Sequence, residues 1–453
     1  MAMGELLSLA RLADRIGGRY HGADRPFRGV STDSRRVEPG ELFVALKGPS
    51  FDGHDFIAQA EAAGCAAVMV ERDVETRLPR IEVADTRVGL GRLAAAWRSQ
   101  FRLPLIAVTG SNGKTTVKEM LAAILRRQGP VLATQGNLNN DIGVPLTLLR
   151  LASEHRTAVV EMGANHPGEI AWLTELARPT VALITNAAAA HLEGFGSLEG
   201  VARAKGEIYG GLEEGGIAVI NADDPFAGLW QGLNRERKVV TFGLEQEADV
   251  SAEWEGGTDG SRLELHTWRG EEHVALPLAG RHNVMNALAA TAAALAAGVE
   301  LSAIREGLEA MTPVAGRLEH KRTAGGIPII DDSYNANPAS LGAALKVLAM
   351  AEGVRCLVMG DMGELGEEAV WLHQRIGEMA RTEGIDRLYA VGELSRAAVL
   401  AFRSGGRHFD DREALIAALR KDLQKGMTVL VKGSRSMRME QVVNALMDEE
   451  RGD

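Results

Sequence analysis

Cysteine is almost missing. The 453 residues hold two, Cys65 and Cys356, far apart and each in an apolar stretch. That excludes a disulfide framework or a cysteine metal pair and fits buried thiols in a reducing compartment. An excess of positive charge is missing too. The formal net charge is −11, so nucleic acid is not the main partner, and any anionic ligand must be held by local basic groups. No uninterrupted apolar run is long enough to span a bilayer, and no basic segment followed by an apolar stretch precedes Glu5. No membrane insertion and a cytoplasmic location are therefore expected. There is no internal repeat and no low-complexity tract. The last third of the chain has no Gly-x-Gly-x-x-Gly after its first strand, which argues against a dinucleotide.

What is present begins with length. A chain of 453 residues, 45% hydrophobic and 25% charged, is too long for one core and reads as about three domains of ordinary composition. The most informative stretch is Leu103-Pro-Leu-Ile-Ala-Val-Thr-Gly-Ser-Asn-Gly-Lys-Thr-Thr116. Leu105 to Val108 suits a buried strand, Gly110 to Gly113 a tight turn, and a helical pattern runs from Lys114 to about Gln128. Strand, glycine loop and helix is the arrangement that cradles a phosphate chain: backbone N–H groups at the helix start face the anion, Lys114 adds charge, and Thr115 offers a hydroxyl to Mg²⁺. The spacing is shorter than the usual phosphate loop, since Val108 stands where its first glycine would be.

Before this stretch, residues 1–100 read as a small α/β unit. Leu6 to Ile16 and Phe56 to Gly64 have helical spacing, and strands are expected within 40–48, 66–70 and 80–83. Val30-Ser-Thr-Asp-Ser-Arg-Arg36 is dense in hydroxyls with adjacent arginines; it suits a nucleotide phosphate or ribose and suits a capped turn equally well. After the stretch, residues 101–312 form a central domain. Thr157–Gly163 is a strand carrying a carboxylate at its end, and Thr180–Asn186 is a strand with His191 just beyond. Open α/β sheets bind ligands past such ends, which places Glu161 and His191 beside Lys114 as a candidate Mg²⁺ shell. Lys205, in the helical stretch 202–208, reads as a surface lysine. Asn283 and Asn286 fall on one face of a helix from about 280 to 297, where an amide can cap the helix or meet a purine edge.

Residues 313–453 alternate strands (327–330, 356–359, 388–391, 428–431) with helices, which predicts a parallel, Rossmann-like sheet. Three of its strand ends are polar or rich in glycine: Asp331-Asp-Ser-Tyr-Asn-Ala-Asn-Pro338, Gly360-Asp-Met-Gly-Glu-Leu-Gly366 and Lys432-Gly-Ser-Arg435. Together they suggest a ligand edge.

These motifs resemble the ATP-dependent Mur ligases of peptidoglycan synthesis along essentially the whole chain. The shared pattern is Thr109-Gly-Ser-Asn-Gly-Lys-Thr115, Glu161, His191 in His-Leu-Glu-Gly-Phe-Gly196, Lys205, His282-Asn283 and Gly316-Arg317. The loop at 30–36, Gly-Asn-Leu-Asn-Asn-Asp-Ile-Gly-Val-Pro145, and the stretches ending at Ser340 and Gly366 resemble the branch that adds D-alanyl-D-alanine. The branch that adds a single third residue usually has different residues after Tyr334 and an Asp-Asn-Pro-Arg signature that is missing here. One departure is Asn186-Ala-Ala-Ala-Ala-His191, where the family more often has Val-Gly-Pro-Ala before the histidine.

The resemblance implies an α/β fold of three domains: an N-terminal one for the UDP end of the substrate, a central P-loop-type ATPase domain, and a C-terminal Rossmann-like one. It implies ATP and Mg²⁺ as cofactors, UDP-N-acetylmuramoyl-tripeptide and D-alanyl-D-alanine as substrates, an acyl-phosphate intermediate, a monomer, and closure of the third domain on the second. It assigns catalysis to Lys114, Glu161, His191 and Lys205. ATP falls to Gly110, Ser111, Asn112, Gly113, Lys114, Thr115, Thr116, Asn283, Arg317 and Asp332. Metal falls to Thr115, Glu161, His191 and, if carbamylated, Lys205. Ser31, Thr32, Ser34 and Arg35 become candidates for the UDP end, and Asn335 and Asn337 for the dipeptide. Other amide ligases of the fold share the ATP features; a kinase or phosphatase switch is disfavoured by the whole extra domain after residue 313.

Overall fold

The computed structural model describes residues 8–189 and 192–448. Three sheets follow one another along the chain. The first orders its strands Arg19–His21, Arg80–Glu82, Ala67–Val70, Leu42–Val44 and Val30–Ser31. Only Arg19–His21 is antiparallel to its neighbour. Leu42–Val44 and Ala67–Val70 are buried along their whole length, as parallel strands covered on both faces must be. Helix Leu9–Ile16 starts where Ser8 Oγ accepts from Arg11 N and stops at left-handed Gly17. The helix expected across 56–64 is Ile57–Ala62, led in by a 3₁₀ turn at Gly53–Phe56.

Helix Thr86–Arg98 ties this unit to the next. Asp85 caps its start by accepting from Arg87 N and Val88 N. Near its end Trp97 Nε1 donates to Leu151 O at 3.0 Å, and buried Arg98 donates to the carbonyls of Phe101, Ala177 and Arg178. The cores are continuous: Leu9, Leu90, Trp97, Leu148 and Ile184 belong to one apolar cluster.

The second sheet has nine strands, in the order Gly270–Leu276, Ser261–Thr267, Val250–Gly256, Lys238–Phe242, Ile217–Asn221, Val181–Ile184, Leu105–Thr109, Thr157–Glu161 and Val131–Ala133. Strand Leu105–Thr109 lies between Val181–Ile184 and Thr157–Glu161, parallel to both, so three carboxyl ends open on one edge. The strands from 250 to 276 form an antiparallel meander that the sequence reading did not assign. Its signal was alternation: in Ser261–Thr267, Leu263 and Leu265 point inward between more exposed neighbours, with period two.

The third sheet orders Glu319–Arg322, Pro328–Asp332, Met427–Lys432, Val354–Gly360, Arg387–Val391 and Gly406–Phe409. Five of these strands run parallel, as expected. The edge strand Glu319–Arg322 is antiparallel and polar, which is why no apolar run announced it. The third unit packs close to the second where helix Arg281–Ala296 begins: a Cβ on Gly280 would lie 2.8 Å from Val347 Cγ2 of helix Pro338–Ala349.

Candidate functional site

Strand Leu105–Thr109 is wholly buried, and the Thr109 hydroxyl donates to Met162 O at 2.7 Å. The turn beyond needs glycine twice. Gly110 and Gly113 sit at φ 145 and 81, and a Cβ would strike Thr185 at the first and Asn286 at the second. Gly113 opens helix Lys114–Leu125 without a side-chain cap, so its first N–H groups remain available to an anion. The neighbouring strand end braces the loop. Asn112 N donates to Asn186 Oδ1 at 3.0 Å, Asn112 O accepts from Thr185 Oγ1 at 2.6 Å, and Ser111 Oγ bonds both N and O of Ala188. Lys114 Nζ turns back onto the loop carbonyls of Gly110, at 2.6 Å, and Ser111, at 3.1 Å. Loss of hydration lowers its pKa, helped by nearby Arg317 and opposed by Glu161.

Glu161 ends its strand 2% exposed. Its N–H donates to Thr134 Oγ1, its Oε1 accepts from Asn139 Nδ2 at 2.7 Å, and its Oε2 is buried with no partner among the described residues. A buried carboxylate oxygen without a donor is costly, and a hard divalent cation is the partner it fits.

Lys205 overturns the expectation of a surface lysine. It is 2% exposed on helix Leu198–Gly206, with Nζ 5.3 Å from the centre of the Phe195 ring. Burial, and then the like charge of Lys114, push its pKa down to about 7. A stretch of Ala-Arg-Ala-Lys-Gly carries no mark of which face turns inward; only the packing decides it.

The third unit reaches the loop directly. Arg317 Nη2 donates to Thr115 Oγ1 at 3.0 Å while its guanidinium lies 4.3 Å from the Tyr334 ring centre. Its Nε is buried without a partner among the described residues. Asn337 Nδ2 donates to Asn112 Oδ1 at 2.7 Å, and the same residue caps helix Pro338–Ala349 in a capping box with Ser340. Asp332 accepts from Lys432 Nζ at 2.5 Å and from Leu318 N at 3.2 Å. Burial still raises its pKa against the pull of Lys432. Lys432 Nζ also donates to Asn335 O, and Asn335 Oδ1 accepts from Arg435 N. Asn283 donates to Ala279 O and accepts from Asn286 Nδ2. Beside it, His282 is held neutral, its pKa brought down to about 4 by burial and then by Lys432.

One cavity of about 1370 Å³ brings most of the sequence-predicted residues together. Its walls include Ser111 to Thr116, Glu161, Lys205 and Asn283 from the second unit and Arg317, Asp332, Asn335 and Asn337 from the third. Gly110 is not in the lining but shapes the turn. His191 lies outside the described residues. The segment leading to it is anchored by Asp224, whose carboxylate accepts from Ala187 N at 2.8 Å. Asn139, Tyr334 and Lys432 also line the cavity and were not singled out. The signal for Lys432 was a basic residue at a polar strand end; the other two lay inside quoted motifs without being distinguished from their neighbours.

Ser31, Thr32, Ser34 and Arg35 are not part of this cavity. Ser31 Oγ bonds Asp33 in both directions, Ser34 Oγ donates to Gln59 Oε1, and Arg35 forks onto both oxygens of Asp33 at 2.9 and 2.8 Å. The hydrogen bonds and charge of Arg35 hold the Asp33 carboxyl down at about 2.

Comparison with known proteins bears on the same residues. Residues 26–98, 108–294 and 316–435 match three family models, described as Mur ligase family, catalytic domain; Mur ligase middle domain; and Mur ligase, glutamate ligase domain. A UDP-N-acetylmuramoyl-tripeptide–D-alanyl-D-alanine ligase of Escherichia coli K12 is 50% identical over 447 residues, covering 98% of each chain. A crystal structure of MurF from Acinetobacter baumannii superposes with a TM-score of 0.92 at 41% identity, covering 96% of this chain and 98% of that one. The MurF ligase of Thermotoga maritima, solved in complex with ADP, superposes with a TM-score of 0.84 at 30% identity, covering 94% and 98%.

Proposed function

The chain belongs to the Mur ligase family, and from that premise we propose that its cleft joins two substrates at the expense of ATP. It adds D-alanyl-D-alanine to UDP-N-acetylmuramoyl-tripeptide in peptidoglycan precursor synthesis. Residues 1–100 receive the UDP end, through Ser31, Thr32, Ser34 and Arg35; residues 101–312 hold ATP; residues 313–453 close the cleft and meet the dipeptide at Asn335 and Asn337. The enzyme works as a cytoplasmic monomer.

A carboxylate is a poor electrophile, so the γ-phosphoryl group first passes to the terminal carboxylate of the tripeptide, giving an acyl phosphate and ADP. The dipeptide amine attacks the acyl carbon, and phosphate leaves. Both partners of the first step are anions and must be neutralised before they meet. Lys114 does this at the outer phosphates and the loop N–H groups at the inner ones. Arg317 adds a third cation from the opposite wall, and Asn283 faces the base. Asp332, fixed by Lys432, orients the ATP from the third unit's side. Thr115, Glu161, His191 and a carbamylated Lys205 would hold Mg²⁺, which when bound supplies charge neutralisation at the phosphates. The unpartnered Oε2 of Glu161 fits that cation. Carbamylation converts Lys205 from a cation that would repel the metal into an oxygen anion, in a pocket that already disfavours the ammonium form. Closure of the third unit over the cleft keeps water from the acyl phosphate.

The observation that carries this reading is the meeting of three things in one cavity: the loop lysine, the open carboxylate of Glu161, and Arg317 touching Thr115 from another sheet. The test is phosphate release from ATP and Mg²⁺ with UDP-N-acetylmuramoyl-tripeptide, with and without D-alanyl-D-alanine, and mass analysis of the product. Dipeptide-dependent release with a UDP-pentapeptide product is expected. Turnover supported by free amino acids instead would keep the ATP site and overturn the acceptor.

A further inference from the structure

Among the described residues, the third unit lines the cavity with four cations: Arg317, Lys346, Lys432 and Arg435. Two of them are committed. Arg317 donates to Thr115 Oγ1, and Lys432 donates to Asp332 and to Asn335 O. Lys346 stands beside Val347, which meets Gly280 at the start of helix Arg281–Ala296, so it belongs to the Asn283 end of the cleft. Arg435 differs from all three. Its ion partner is Glu440, with Nη1 and Oε2 3.5 Å apart. That oxygen takes no hydrogen bond among the described residues, and Glu440 is not part of the cavity wall. The Arg435 guanidinium therefore keeps its donors, in the fork that fits a carboxylate.

Its place is fixed although its donors are free. Arg435 N donates to Asn335 Oδ1 at 3.3 Å, and the guanidinium carbon lies 5.7 Å from the ring centre of Tyr334. The same ring centre is 4.3 Å from the guanidinium carbon of Arg317, and Tyr334 N donates to Gly316 O at 3.1 Å. One aromatic residue thus holds two arginines. The first touches the phosphate loop through Thr115; the second has unspent donors beside Asn335. The ring attracts each cation, but two like charges drawn to one ring repel, and an entering anion relieves that cost. Spacing agrees with the size of the acceptor: the two guanidinium carbons are at most about 10 Å apart, and an extended dipeptide spans about 7 Å.

The acceptor amine must be uncharged when it attacks, so the dipeptide enters the reaction as an anion, its charge on the carboxylate at the far end. The phosphates at the reacting end repel that charge, and a cation about one dipeptide away from them holds it clear. We propose, resting on the ligase reading above, that Arg435 receives the carboxylate of the incoming D-alanyl-D-alanine. Tyr334 is the positioning residue that sets Arg435 at a fixed reach from Arg317, so that the amine of the bound dipeptide falls on the phosphate side of the cleft.

The test is steady-state kinetics of the full-length enzyme with ATP, Mg²⁺ and UDP-N-acetylmuramoyl-tripeptide, comparing D-alanyl-D-alanine with its C-terminal amide, which lacks the charge. Wild type is expected to favour the free acid at least about tenfold in kcat/KM. In Arg435→Gln, KM for the dipeptide is expected to rise at least about tenfold, KM for ATP to stay within about twofold of wild type, and the preference for acid over amide to vanish. Arg435 is exposed, so folding does not limit this variant. Tyr334→Leu is expected to raise KM for both ATP and the dipeptide, and Tyr334→Phe to recover most of that loss because it keeps the ring. A wild type indifferent to the amide, or an Arg435→Gln enzyme that still prefers the acid, overturns the proposal. A Tyr334→Leu enzyme with both KM values unchanged overturns the role of Tyr334. A wild-type enzyme that makes no UDP-pentapeptide overturns the ligase reading instead, so the failures are distinct.

Discussion

Around Ser31–Arg36 the hydroxyls of Ser31 and Ser34 and the Arg35–Asp33 pair are satisfied locally, whereas around Gly110–Thr116 the loop is braced but buried groups beside it are left open. In the first loop the Ser31 and Ser34 hydroxyls have partners within the same unit, and Arg35 is clasped by Asp33. In the second, among the described residues, Lys114 is bound only to its own loop carbonyls, Glu161 Oε2 and Arg317 Nε are buried without partners, and Lys205 is buried near the like charge of Lys114. Arrangements of the second kind are disfavoured for the free protein and are retained where a ligand completes them. The difference teaches that density of polar residues alone says little about a site, whereas unsatisfied burial is a direct sign of one.

The comparison can be broken most sharply at Lys114. Lys114→Ala is expected to cut dipeptide-dependent phosphate release by about 10³-fold without lowering Tm, because it removes a desolvated charge. A variant that keeps activity would show that the open groups are not the site. Lys205→Ala should cost about 10²-fold, and wild-type activity should fall in carbonate-depleted buffer and return with bicarbonate. Loss in the variant without any response of the wild type to bicarbonate would separate the buried lysine from its carbamate. Arg317→Lys abolishes the planar stack on Tyr334; KM for ATP is expected to rise about tenfold, read by varying ATP at saturating co-substrates.

At the satisfied loop the effects are smaller. Arg35→Ala is expected to raise KM for the UDP-substrate about threefold, in keeping with a weak exposed contact, and to leave KM for ATP alone. No change would reduce the loop to a capped turn. The smallest effect is one of pH. The folded Asp33 carboxyl titrates at about 2, below its ordinary 3.8. Its clasp with Arg35 therefore stabilises the fold fully above 3.8 and is lost as pH falls toward 2. Because the pair is exposed and screened, acid melting curves of wild type and Asp33→Asn should differ only slightly, and less at high salt.

Much of the fold was legible. Strand Leu105–Thr109, the turn and helix Lys114–Leu125 follow from an apolar run, two glycines and a helical period. The buried strands of the third sheet follow from their short apolar runs. The meander from 250 to 276 and the polar edge strand Glu319–Arg322 were not assigned, because strands wet on one face carry a signal diluted by charged residues. Within the site, Glu161 was placed correctly at its strand end. Lys205 was not, because a lysine on a short alanine-rich helix is indistinguishable from a solvated one until the helix packs against Trp230 and its neighbours.

By itself the sequence determined the local chemistry: where the chain must bend at glycine, which strand ends carry charge, and which family pattern those residues compose. Short-range sterics and periodicity decide such things within a few residues. Only the tertiary structure decided which polar groups are satisfied and which are not. Asp33 and Arg35 stand two residues apart and neutralise each other locally, whereas the partners of Thr115 and Asp332 lie far along the chain, at Arg317 and Lys432. Burial and long-range pairing are properties of the assembled sheets, and they separate a cleft with buried polar groups left open from a loop whose polar groups pair locally.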